Sequence, residues 1–204
     1  MGQPERVQGK ETFPKARMEA LTDGIFGFAM TLLTVGLIIP DSSPYENVAA
    51  MLISLIPDIL HYALAFFVLA SFWFSHHMQA THLRFIDRRY LAMNTTALLF
   101  VTLVPISTLL VGDFPEDILA AITFEANLLI TGLLFAAQLW YAAGSGRLIS
   151  PGSHVVQGKR RAMVVPIVSL LAIAIAATGI TWSTATYLIV PVVLRILPTT
   201  AAAD

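Results

Sequence analysis

RMEALTDGIFGFAMTLLTV, residues 17–35, is the stretch that decides the fold of this chain. It nearly matches the roughly 20 residues that a helix needs to cross the hydrocarbon core of a bilayer. Its first turns nevertheless carry Arg17, Glu19 and Asp23. Ionisable groups at membrane depth are costly, so they tend to pair inside the protein or to line a water path. The stretch therefore predicts a transmembrane helix with a polar end.

The composition indicates an integral membrane protein. Of the 204 residues, 56% are hydrophobic and only 12% are charged, and the mean hydropathy is +0.74. Soluble domains carry about 25% charged residues, so the surplus apolar surface must face a bilayer. Together with the net charge of −1, this excludes a soluble enzyme and a nucleic-acid-binding protein. The lack of cysteine excludes disulfides, thiol nucleophiles and cysteine-ligated metal sites.

The remaining chain predicts five further spans, so that the fold class is all-α and polytopic. The segment 162–197 would be about 54 Å long as one helix, against a core of about 30 Å. We therefore expect it to fold back at Gly179–Ser183, where glycine, threonine and serine suit a turn. The six-helix transmembrane domain, 17–197, lies between an N-terminal tail, 1–16, and an unstructured C-terminal tail, 198–204. The six expected transmembrane helices are 17–39, 58–80, 90–111, 117–143, 162–180 and 182–197.

The distribution of charge supports six spans and fixes their orientation. With this count, all 12 Lys and Arg residues fall on one side, in the N-terminal tail, in the loops after spans 2 and 4, and at Arg195. The loops after spans 1 and 3 carry acids but no basic residue. The positive-inside rule then places both termini in the cytoplasm. We expect a multi-pass protein of the plasma (inner) membrane.

Polar side chains occur at a similar depth on the first three spans. The second span ends with SFWFSHH, residues 71–77, close to the cytoplasmic level of Asp23. Indole and imidazole N–H groups are natural donors to a carboxylate or a hydroxyl. We expect an interhelical polar network that fastens these spans together, formed by Arg17, Thr22, Asp23, Trp73, His77 and Asn94.

These residues resemble the signature of the endosomal/lysosomal potassium-channel family and its bacterial members. Its pattern is Arg-x-x-x-Phe-Ser-Asp on the first helix, followed by Trp and His on the second. Here the pattern reads Arg17-x-x-x-Leu21-Thr22-Asp23, with Trp73-x-x-His76-His77 after it. The threonine keeps the hydroxyl of the family's serine, whereas the leucine loses an aromatic contact.

The resemblance implies a passive, leak-type potassium-permeable channel. Family members are tetramers whose first helix lines a central pore, and rings of apolar side chains replace a carbonyl filter. The permeant ion would be K⁺, without any other cofactor, and the partners would be further copies of the chain and the bilayer. Carried onto this sequence, the pore-lining positions are Phe28, Thr31, Leu32 and Val35. Phe28 would form the hydrophobic constriction, since such rings gate by expelling water.

Helical geometry is compatible with this assignment. At 100° per residue, Phe28, Leu32 and Val35 lie within about 60° of one another around the helix, and Thr31 flanks them. Asp23 lies about 140° away from Phe28, toward neighbouring helices rather than the pore. We therefore expect Asp23 to support assembly and the stripe to line the ion path.

Two other motifs do not indicate sites. Thr34-Val35-Gly36 is similar to the start of a potassium-channel filter, but it lies inside a full span, and no short pore helix precedes it. Filter loops need backbone carbonyls that helical bonding has not used. His76, His77 and His82 lack the i, i+4 spacing of helical metal ligands, so we expect no metal.

Two alternative functions remain compatible with the residues. A proton-coupled or other secondary transporter would use Asp58, His61 or Glu125, which lie outside the network above. A membrane scaffold that conducts no ions would need no water path. A measurement of passive ion flux distinguishes a channel from the transporter and from the scaffold.

Overall fold

The computed structural model describes residues 6–7, 10–37, 47–146, 148–149 and 155–197. Within them, four helices are long and apolar enough to cross a membrane. Helix α1, Lys15–Leu32, continues as a 3-10 turn, Leu33–Gly36. The other three long helices are α3 (Ile56–Thr81), α4 (Arg88–Asp113) and α5 (Ile118–Gly144), and a short helix, α2 (Val48–Ser54), precedes α3.

The last part of the chain forms a shorter helical hairpin. Helix α6, Val155–Ala162, is followed directly by α7, Val164–Ala176. The chain reverses at Gly179, whose φ of +92° is the left-handed conformation that glycine adopts at little cost. It returns as a 3-10 segment, Thr181–Leu188, and helix α8, Ile189–Ile196. The predicted fold-back is thus confirmed, while the count of six spans stays a prediction because this return arm is short.

Asparagine and aspartate side chains begin three of the helices. Asp87 accepts a hydrogen bond from the Tyr90 amide at 2.9 Å, and Asp117 accepts one from the Leu119 amide at 2.8 Å. Asn47 does the same at the start of α2. Because the first N–H groups of a helix lack partners within it, such caps fix where the helix begins.

A small antiparallel sheet lies beside the end of the bundle where α4 begins. Its strands are β1 (Arg6–Val7), β2 (Lys10–Phe13) and β3 (Ile86–Asp87), in the order β1-β2-β3. Thr12 pairs with Asp87 and Phe13 with Ile86. The predicted N-terminal tail therefore holds the α3–α4 connection through two short strands, which the sequence analysis did not anticipate. The predicted C-terminal tail, 198–204, lies outside the described residues.

The apolar core runs between α1, α3, α4, α5 and α7. It includes Phe26, Leu69, Val101, Leu128 and Ala172, each at most 1% exposed. Gly132 allows α5 to approach α7, since a Cβ at this position would lie 2.8 Å from the ring of Pro166. This core fixes the rotation of α1 and hence the face that α1 leaves uncovered.

Candidate ion pathway and its supporting network

Helix α1 has one buried and one exposed face. The side chains that pack into the bundle recur every three or four residues and are Met18, Thr22, Phe26, Ala29 and Leu33. The opposite face carries the four predicted pore residues. Phe28 is 69% exposed, Val35 is 67% exposed and Leu32 is 41% exposed, and Thr31 is also exposed. The structure therefore leaves all four side chains exposed at the surface of the chain.

The polar groups on this exposed face are partly engaged by the helix itself. The Thr31 hydroxyl donates to the Phe28 carbonyl oxygen at 2.8 Å, and the Thr34 hydroxyl donates to the Thr31 carbonyl oxygen at 2.6 Å. A hydroxyl oxygen has two acceptor lone pairs besides its donor. Thr31 thus presents an acceptor among apolar neighbours, which can contact a hydrated cation.

Exposure alone does not separate a pore face from a lipid face. Phe67 on α3 is 65% exposed, almost as much as Phe28. The exposed face of α1 also carries small and polar residues. A Cβ at Gly24 would meet no atom within 4 Å, and Gly24 lies about 40° from Phe28 around the helix.

Asp23 joins α1 to α3. The Trp73 indole nitrogen donates to an Asp23 carboxylate oxygen at 2.8 Å. Asp23 is exposed, whereas Trp73 is half-buried. The bond thus forms at the subunit surface rather than in its core.

A second, fully buried chain of hydrogen bonds joins α1, α4 and α5. The Asn94 amide donates to the Thr22 hydroxyl at 3.0 Å. The Gln138 amide donates to the Asn94 side-chain oxygen at 3.1 Å. All three side chains are at most 1% exposed. Buried polar groups need such partners, because an unpaired one carries its full desolvation cost.

The structure distinguishes the two neighbouring histidines of α3. His76 is 3% exposed, lies against Asn94 and has its ring 5.3 Å from that of Phe135. His77, the residue assigned to the network from the sequence, is exposed and stacks on Trp73 with ring centroids 5.6 Å apart. His77 therefore flanks the Asp23–Trp73 bond, and His76 accompanies the buried chain.

Arg17 is the one proposed network residue that the structure does not bring to the others. It is exposed at the start of α1 and forms no ion pair with any described residue. By contrast, Lys15 pairs with Glu19 at 3.6 Å and donates to the Leu83 carbonyl oxygen at 3.2 Å. On a helix, Arg17 shares the face of Phe28, offset by about 20°.

Sequence reasoning missed Gln138 and His76 as members of the buried network. Gln138 was detectable as an isolated amide in the apolar helix α5. His76 was detectable by spacing, because it continues the buried positions Ala65, Leu69 and Phe72 of α3. Among the described residues, no three His, Asp or Glu side chains lie close enough together to hold a metal ion.

Known proteins resemble this chain in sequence and in fold. Residues 17–105 match the family model described as the endosomal/lysosomal potassium channel TMEM175. A potassium channel of Chamaesiphon minutus is 29% identical over 150 residues, which are 71% of this chain and 73% of that one. The endosomal/lysosomal proton channel TMEM175 of Bos taurus is 26% identical over 196 residues, covering 87% of this chain but 41% of the bovine protein.

A solved structure shows the same fold. It is the crystal structure of a lysosomal potassium-selective channel TMEM175 homolog from Chamaesiphon minutus. The superposition has a TM-score of 0.78 at 24% identity and covers 89% of this chain and 96% of the other. With the four long apolar helices, this likeness confirms the predicted all-α membrane fold. These relatives are ion channels, not enzymes.

Proposed function

Since this chain is a relative of the TMEM175 family of endosomal/lysosomal potassium channels, we propose that it forms a passive potassium-permeable channel in the membrane. The relative from Chamaesiphon minutus is itself named a potassium channel. The observation that carries the proposal is the uncovered face of α1. Phe28, Thr31, Leu32 and Val35 are exposed together, on the side opposite to the helix's buried stripe.

Four copies of the chain would place this face around a central axis. Copies related by closed rotational symmetry would enclose this face around one axis without leaving an open edge. The path would then be lined by side chains of α1 and not by backbone carbonyls, because the α1 backbone is hydrogen-bonded as a helix. Phe28 would be its narrowest apolar ring, and Thr31 would offer the nearest polar contact beyond it.

The network of Thr22, Asp23, Trp73, His77 and Asn94 would hold α1 at a fixed rotation. Asp23–Trp73 ties it to α3, and Thr22–Asn94–Gln138 ties it to α4 and α5. A helix that lines a pore must not roll, since a rotation of one residue moves its side chains by 100°. Arg17 would lie at the end of the pore nearest the chain termini, which we place in the cytoplasm.

The test is potassium or rubidium flux into liposomes that hold the purified protein. Phe28→Ala removes the proposed constriction, so we expect its flux to exceed that of the wild type. Phe67→Ala is the matched control, because it makes the same truncation at an equally exposed site on α3. It should leave the flux unchanged.

The same liposomes separate the competing functions. Flux that does not saturate and needs no pH gradient supports a channel. Flux that saturates and requires a proton gradient would instead indicate a coupled transporter, and silence from verified tetramers would indicate a scaffold. Liposomes that have a proton gradient and no K⁺ test whether the protein conducts protons, the ion for which the bovine relative is named.

A further inference from the structure

Glu125 is a buried acid that the proposed ion path does not use. It lies about two turns after the start of α5 and is fully buried. One carboxylate oxygen accepts a hydrogen bond from the Ser183 hydroxyl at 2.5 Å. The other oxygen has no hydrogen-bond partner among the described residues, and no described cation pairs with it. An isolated carboxylate in such surroundings is expensive, which makes the free oxygen a place where a proton can bind.

A cavity lies at the far end of the bundle, opposite the N-terminal strands. It has a volume of about 110 Å³ and lies between the end of α1, the start of α3 and the end of α4. Polar groups on its wall include Asp58, His61, Thr108 and Asp113. A water molecule needs about 10–15 Å³ of such volume and two to four polar partners. This outer cavity can therefore hold several waters.

A second cavity adjoins the first through shared lining residues. It is small, about 10 Å³, and its lining includes Phe124 and Thr184, the chain neighbours of Glu125 and Ser183. His61 and Thr108 line both cavities. The Nδ1 atom of His61 is buried and has no hydrogen-bond partner among the described residues. His61 thus stands between the outer water and the surroundings of the Glu125–Ser183 pair.

The neighbouring elements contribute few other titratable groups here. Asp58, His61 and Tyr62 come from α3, and Asp113 comes from the end of α4. The 3-10 segment contributes Tyr187, whose hydroxyl donates to Ser169 of α7 at 2.8 Å and whose ring packs edge-on against Phe124. Tyr187 is engaged in this way, and Asp58, Tyr62 and Asp113 line only the outer cavity. His61 lines both cavities and is therefore the group in position to carry a proton inward.

We propose that Glu125 is a proton-binding site that is loaded from the far side of the membrane through His61. A proton from the outer cavity first binds an imidazole nitrogen. This N–H bond then breaks while an O–H bond forms at the free carboxylate oxygen through bridging water, because the two side chains are not in direct hydrogen-bond contact, and the imidazole returns to its neutral form. Ser183 keeps its bond to the other oxygen throughout. The site lies apart from the exposed face of α1, so it does not depend on the proposed potassium path.

The test is infrared spectroscopy of the protein in lipid films, following the carbonyl band of a protonated carboxyl group. We expect acidification to raise a band that shifts when D₂O replaces water. Glu125→Gln should lack this band. Glu116→Gln is the matched control, since Glu116 is exposed in the α4–α5 loop, and it should keep the band.

The rate of deuterium exchange tests the route. His61→Phe should slow exchange of the band by about a hundredfold, the lower range of what a positioned proton-transfer group contributes. Thr108→Leu, which fills the wall shared by the two cavities, should slow it as well, and His82→Phe at the other end of α3 should not. The proposal is overturned if the band persists in Glu125→Gln, ignores pH and D₂O, or exchanges equally fast without His61.

Discussion

At the scale of single residues, Asp23 and Trp73 form a hydrogen bond whose strength depends on where it lies. The bond joins α1 to α3 at the surface of the subunit. In membranes, polar contacts between helices contribute about 0.6 kcal/mol on average and up to about 1.7 kcal/mol. A bond covered by a neighbouring subunit should approach the upper value, because water then competes for neither group.

A double-mutant cycle with Asp23→Ala and Trp73→Phe measures this bond. We expect a coupling free energy of about 0.6 to 1.7 kcal/mol in unfolding experiments. We also expect Asp23→Ala to reduce the recovered tetramer more than it changes ion selectivity. Glu19→Ala serves as the control, because it removes an acid whose one ion pair among the described residues is with Lys15 in its own helix. Additive effects of the two substitutions would contradict a direct bond.

At the scale of elements, α4 contains a proline, and a side chain of α5 bonds to the α4 backbone directly before it. Pro105 lies inside α4, lacks an N–H group and so leaves the carbonyl four residues earlier unpaired. Oriented to satisfy its neighbours, the Asn127 amide of α5 donates to the Phe100 carbonyl oxygen at 3.3 Å and accepts from the Val104 amide at 3.2 Å. Asn127 therefore bridges the backbone of α4 directly before the proline.

Asn127→Leu should destabilise the protein by about 1–3 kcal/mol, because it leaves buried backbone groups without a partner. The same substitution should cost less in a Pro105→Ala background, where the helix can close its own hydrogen bonds. Unfolding in detergent, followed by circular dichroism, measures both. An equal cost in the two backgrounds would show that Asn127 does not compensate for the proline.

The approach of α5 to α7 gives a second prediction for the elements. Gly132→Ala would place a methyl carbon 2.8 Å from the rigid ring of Pro166. Overpacking of this kind costs about 1–3 kcal/mol, so the melting temperature should fall. Gly144→Ala is the matched control in the same helix, since a Cβ there meets no atom within 4 Å. Equal melting temperatures for the two variants would contradict the close packing.

The sequence predicts the long helices well and the small elements poorly. Predicted spans 58–80, 90–111 and 117–143 lie within about two residues of α3, α4 and α5, because charged or capping residues such as Asp87 and Asp117 bound the apolar runs. Strands as short as β1 and β3 carry no periodic signal, so tertiary pairing alone creates them. The choice between His76 and His77 depends on the rotation of α3 within the bundle, which the packing of Leu69 and Phe72 sets.

At the scale of the whole molecule, the bundle leaves two kinds of apolar surface uncovered. One surface, which includes Phe67, Leu99 and Leu170, belongs to helices that face outward and suits lipid. The other is the α1 face with Phe28, Leu32 and Val35, interrupted by Gly24 and Thr31. We infer that copies of the chain cover this second face and enclose the ion path between them.

The most direct test of this account uses the absence of cysteine from the chain. Single cysteines at Thr31 or Val35, and at Phe67 as the matched control, are treated with a charged, water-borne thiol reagent while potassium flux is recorded. We expect Thr31→Cys and Val35→Cys to lose their flux upon treatment, and Phe67→Cys to keep it. Unchanged flux from labelled Thr31→Cys and Val35→Cys would contradict a path lined by α1.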